Sequence, residues 1–104
     1  MEKIAFKMKL KPGQKEEYIK RHQAIWSALR SVLKEYKISD YTIFLDEETD
    51  TLFAVQKKSS AKNSQDIGNN EIVRKWWEYM ADIMETNPDH SPVSIPLLKV
   101  FHLD

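Results

Sequence analysis

Along the first residues of the chain, apolar Ile4, Phe6, Met8 and Leu10 alternate with Lys3, Lys7, Lys9 and Lys11, with small Ala5 among the charges. A period of two with this contrast predicts a strand over Lys3–Lys11 with one face buried. Pro12-Gly13 ends it, because proline lacks a donor and glycine takes the turn. From Gln14 to Tyr36 the period lengthens and no Gly or Pro intervenes. Tyr18, Ile25, Trp26, Leu29, Val32, Leu33 and Tyr36 fall within an arc of roughly 120°, the width of a core-facing helical stripe. Glu16, Glu17, Lys20, Arg21, Arg30 and Lys34 lie outside that arc, and His22 lies inside it. One helix is predicted for the whole segment.

Tyr41–Leu45 and Thr51–Gln56 are rich in branched and aromatic residues, and the polar run Asp46–Asp50 between them is short enough for a hairpin. Lys57–Asn70 is polar, with room for one short, weak helix over Ala61–Ile67. Asn69 or Asn70 suits an N-cap, and Glu71 suits the first turn of the helix that follows, which is expected to run to Met84. Asn87–Pro96 holds three prolines and reads as a loop; Leu97–Leu103 alternates again and reads as a closing strand.

The resulting order is strand, helix, strand, strand, helix, strand. Two right-handed crossovers sharing one antiparallel sheet give an α+β, ferredoxin-like β-α-β-β-α-β subunit, a single domain over 1–104 with both helices on one sheet face. The opposite face would leave Phe44, Phe53, Val55 and Phe101 uncovered. A second copy of the chain is the simplest cover, so a homodimer is expected.

Composition removes several classes of function. Sixteen Lys and Arg balance sixteen Asp and Glu, so the net basicity usual for a nucleic-acid partner is missing. No cysteine is present, which excludes disulfides, thiolate metal sites and a thiol nucleophile. The amino terminus has no continuous apolar stretch and no segment is apolar over a bilayer's width; a cytoplasmic protein without membrane contact is the expectation. No glycine-rich phosphate loop appears, and His22, His90 and His102 do not form a paired-histidine metal spacing.

Four features carry chemistry. His22 follows Tyr18 by one turn, making phenol and imidazole neighbours, and imidazole is suited to proton transfer near neutrality. The plainer alternative is a histidine bonded to a carbonyl at the edge of the core. Trp76-Trp77 are adjacent on a helix and point about 100° apart. One indole can anchor the sheet while the other walls a cavity, or both can be core or dimer-contact residues. Tyr41 needs a partner for its hydroxyl if buried, as a structural bridge or a ligand contact. The loop Asn87-Pro88-Asp89-His90-Ser91-Pro92 could present Asp89 or His90 to a pocket, or be a solvated turn.

Taken together, these residues resemble the L-rhamnose mutarotase family from end to end. The resemblance rests on Glu17-Tyr18, Arg21-His22, Ile25-Trp26, Tyr41, Leu52-Phe53-Ala54, Trp76-Trp77-Tyr79-Met80, Asn87-Pro88-Asp89 and Ser91-Pro92-Val93-Ser94. Its one departure is Lys57–Asn70, more polar than the family pattern. The resemblance implies a dimeric α/β barrel of ferredoxin-like subunits. It also implies an isomerase interconverting the anomers of L-rhamnose in the cytoplasm, with no metal or organic cofactor. It places His22 as the catalytic proton donor and Tyr18, Tyr41, Trp76 and Trp77 as sugar contacts. The same fold also admits a non-catalytic sugar-binding or assembly module, or a haem- or quinol-handling monooxygenase.

Overall fold

A computed structural model describes all 104 residues. The elements run β1 (Glu2–Lys9), α1 (Lys15–Gln23), α2 (Ser27–Glu35), β2 (Ile38–Asp46), β3 (Thr51–Lys58), α3 (Glu71–Met80) and β4 (Ser94–Pro96). The sheet is antiparallel with strand order β2-β3-β1-β4, the split order expected of a ferredoxin-like subunit.

Register assigns the faces. Phe6 pairs with Ala54 and Met8 with Leu52, while Ile43 also pairs with Ala54 and Leu45 with Leu52. These residues pack with Leu29 and Val32 of α2 and with Val73, Trp76, Trp77 and Met80 of α3 in one core. On the other face Ala5 pairs with Val55, and Lys7 with both Phe53 and Ile95. Phe44, opposite Phe53, stays 63% exposed there. Of the uncovered face expected from the pattern, Phe44, Phe53 and Val55 lie on this side, Phe53 and Val55 half-buried, while Phe101 is not in the sheet.

Several predicted elements differ. The long helix Gln14–Tyr36 is two helices, so three helices rather than two contribute residues to the core. The break at Ala24–Trp26 contains no breaker residue; Trp26 is extended, at φ −62° and ψ 133°, and its carbonyl accepts from the N–H groups of Leu29 and Arg30 to start α2. A tertiary contact stands at this point, with the Trp26 ring edge-on to Trp76 at 5.1 Å and stacked on Tyr79 at 5.6 Å.

No helix forms over Ala61–Ile67, whose backbone is held instead by side chains: Asp66 accepts from Asn63 N–H, and Gln56 from Ser64 N–H. The closing strand lies earlier, at Ser94–Pro96, not at Leu97–Leu103. Pro96 has no N–H to continue a ladder. After Leu97 N–H donates to Ala5 O, the tail leaves the sheet with Leu98, Val100, Phe101 and Leu103 exposed.

Helix α3 starts where expected. Asn70 Oδ1 accepts from the N–H groups of Ile72 at 2.9 Å and Val73 at 3.3 Å, occupying two of its orphan donors. It stops at Met80, a turn short of the predicted end, and a turn carries Ile83 and Met84 into the core.

Candidate active site

Between the helices and the inner sheet face lies a mostly apolar cavity of about 800 Å³, open to solvent on one side. That lies within the span of about 300–1,000 Å³ usual for small-molecule sites. Tyr18, His22, Tyr41, Trp76 and Trp77 all line it. Three separate elements thus bring the five candidate residues to one place.

Helix α1 supplies the imidazole. Its first turn carries Glu16 and Glu17 and its last turn Lys20, Arg21 and His22, charges that match the ends of the helix dipole. The His22 ring lies nearly parallel to that of Tyr18, 4.2 Å between centroids, and edge-on to Trp76 at 5.5 Å. Nδ1 is 3.0 Å from the Tyr18 carbonyl oxygen. A carbonyl only accepts, so Nδ1 carries the proton and Nε2 of the neutral ring keeps its lone pair. One nitrogen of this histidine is tied to the backbone, as in the plainer alternative, and the other has no protein partner. Burial pushes the imidazole below its ordinary 6.5, and the bond to the Tyr18 carbonyl offsets only part of that.

The orientation of α1 is fixed by Arg21. Its guanidinium donates to Asp82 through Nη1 at 2.8 Å and Nη2 at 3.2 Å, to the Tyr79 carbonyl at 2.8 Å and, through Nε, to Glu17 at 2.8 Å. It also lies 4.5 Å over the Tyr79 ring. One side chain thus ties the helix bearing His22 to the end of the helix bearing Trp76.

Two phenols face the same space. Tyr18 is buried and its hydroxyl has no protein partner. Burial and the neighbouring Tyr41 raise its pKa far above the ordinary 10.0. Burial raises Tyr41 as well, and its Oη accepts from Ser64 Oγ at 3.4 Å. Both remain protonated donors across the physiological range.

Trp76 and Trp77 are each buried, and each walls the cavity, so neither serves the core alone. Trp77 is seated against Gly68, where a β-carbon would stand 2.5 Å from Cζ3 and 2.9 Å from Cη2. The polar segment after β3 thus holds an indole in place.

Asp89 lies outside the cavity. Its carboxylate accepts from the N–H and hydroxyl of Ser91 in an exposed turn, and Pro92 alone of that loop reaches the lining. His90 and His102 line no part of the cavity. Gln56, Ser64, Gln65 and Gly68 were not singled out from the sequence. Gln56 had a legible signal, a polar residue on the inward parity of Leu52 and Ala54; the other three had none.

Comparison with known proteins shows the family. A family model described as L-rhamnose mutarotase matches residues 3–103. A curated L-rhamnose mutarotase of Bacteroides thetaiotaomicron is 61% identical over 104 residues, covering all of both chains. Another, of Formosa agariphila, is 59% identical with the same coverage. The crystal structure of L-rhamnose mutarotase from Formosa agariphila superposes over all of both chains with a TM-score of 0.93 and 56% sequence identity.

Proposed function

The chain belongs to the L-rhamnose mutarotase family, and from that premise we propose that His22 Nε2 moves the proton when the hemiacetal ring of L-rhamnose opens and recloses. The protein is an isomerase exchanging the α and β anomers of that sugar. The observation supporting the site is the convergence of a half-tethered imidazole, two protonated phenols and two indoles on one cavity.

The chemistry follows from the atoms present. Neutral Nε2 takes the proton from the anomeric hydroxyl as its electron pair forms the C=O bond of the open chain. The C1–O5 pair leaves with the ring oxygen, which takes a proton back from the imidazolium. Rotation about C1–C2 and the reverse transfers close the other anomer, so no net proton is gained or lost. The Nδ1–H bond to the Tyr18 carbonyl holds the ring in register through both states. Tyr18 and Tyr41 donate to sugar oxygens, while Trp76 and Trp77 cover its C–H face and methyl corner. Moving a positioned proton contributes about 10²–10⁴-fold in such reactions.

A His22→Ala protein with an unchanged melting curve is expected to lose at least two orders of magnitude in anomer exchange, on that scale of about 10²–10⁴-fold. Exchange NMR between the two anomeric proton signals measures this, and full retention refutes the role.

The functional unit we propose is a homodimer. Its support is the set of apolar residues Phe44, Phe53, Val55 and Ile95 around Lys7 on the outer face, together with the exposed apolar residues Leu98, Val100, Phe101 and Leu103 of the tail. Sedimentation velocity is expected to give a dimer and Phe44→Asp a monomer; a monomeric parent protein refutes the assignment. No helix is long and apolar enough to cross a membrane. The cytoplasmic location implied by the resemblance is part of the same reading, and cell fractionation tests it.

A further inference from the structure

A glutamine with no exposed surface at an inward strand position is costly unless its amide is bonded at both ends. Gln56 is 0% exposed on β3, one step along the inward row from Ala54, and both ends of its amide are used on one residue. The Ser64 N–H donates to Oε1 at 3.0 Å, which fixes that end as oxygen. Nε2 therefore donates to Ser64 Oγ, at 2.9 Å. Gln65 Nε2 donates to the same oxygen at 3.2 Å.

A serine hydroxyl has two acceptor lone pairs and one proton. Both lone pairs of Ser64 are occupied, so the proton points to the remaining neighbour, Tyr41 Oη at 3.4 Å. That contact fills an acceptor position on the phenol. The Tyr41 proton meets no acceptor in the chain, and Tyr41 and Ser64 both line the cavity.

We propose that Ser64, clamped by Gln56, is a positioning residue acting through Tyr41: it orients the phenol so that its proton is offered to an oxygen of the bound sugar. This rests on the reading that Tyr41 contacts the sugar. A plain structural role, pinning the segment after β3 to the sheet, makes different predictions.

The test is a double-mutant cycle on anomer exchange, with KM and kcat measured separately by exchange NMR. Tyr41→Phe is expected to raise KM about tenfold, and Ser64→Ala about fivefold with kcat little changed, the size of one lost hydrogen bond. The double variant is expected to match Tyr41→Phe alone, and Ser64→Thr to restore the parent KM. Gln56→Met, which frees Ser64 without removing it, is expected to show the same loss of additivity should Ser64→Ala fold poorly. Full additivity of either substitution with Tyr41→Phe overturns the inference, leaving only the pinning role. An unchanged KM in Tyr41→Phe itself removes the sugar contact, and the inference falls with it.

Discussion

Gly68→Ala adds one methyl group at a site where the backbone already accepts an L-residue and the obstacle is purely steric. The new carbon would stand 2.5 Å from Trp77 Cζ3 and 2.9 Å from Cη2. Carbon atoms rest about 3.5–4.0 Å apart, so the indole or the segment must retreat by about 1 Å. Trp77 is buried in a packed core that does not yield freely, and overpacking of this kind costs about 1–3 kcal/mol. For a domain this size each kcal/mol is worth about 4–8 °C of melting temperature, which places the expected fall between roughly 4 and 24 °C. Because Trp77 also walls the cavity, KM for the sugar is expected to rise. Circular-dichroism melting and exchange NMR read the two effects. Trp77→Phe removes the six-membered ring of the indole that the methyl would strike, so the double variant is expected to be more stable than the two single losses added together. A Gly68→Ala protein with the parent's melting temperature and KM refutes the reasoning.

The role proposed for His22 sets the pH profile expected of the reaction. Its folded pKa lies below 6.5, so the proton-accepting form fills as pH rises through that lowered value; activity is expected to climb on an acid limb with a midpoint under 6.5 and to stay level above it. Stability moves the same way, because the unfolded chain takes up the proton first and the fold weakens as pH drops below 6.5; an acid limb centred above 6.5 refutes the assignment. Arg21→Met removes the tie to Asp82, Glu17 and the Tyr79 carbonyl, and is expected to cost about 1–3 kcal/mol on denaturant titration and to lower kcat as His22 loosens. Lys37, next after the C-cap Tyr36 of α2, sits at φ 59°, where a β-carbon is strained; Lys37→Gly is expected to raise stability by about 0.5–1 kcal/mol without altering kinetics.

What the chain reveals before folding is its locally encoded part. Alternation pointed to β1, branched and aromatic runs either side of a short polar loop to the hairpin, and the pair Asn69-Asn70 to the start of α3. All three signals act within a few residues. The break before α2 was hidden because Ile25 and Trp26 continue the apolar stripe across it, and the residues Trp26 meets, Trp76 and Tyr79, lie some fifty positions away. The tail misled for a related reason: alternation shows that a strand could form, while hydrogen-bonding partners decide whether it does. The segment after β3 looked featureless because its contributions, a small hydroxyl at Ser64 and a missing side chain at Gly68, have meaning only beside Gln56 and Trp77.

The chain has three tryptophans, and none lies far from the cavity: Trp76 and Trp77 wall it and Trp26 stands edge-on to Trp76. Ultraviolet emission from this protein consequently originates in one neighbourhood, with no distant indole to dilute it. Filling of the pocket by a ligand is therefore expected to change the native fluorescence, a signal that titration of the unlabelled protein would read.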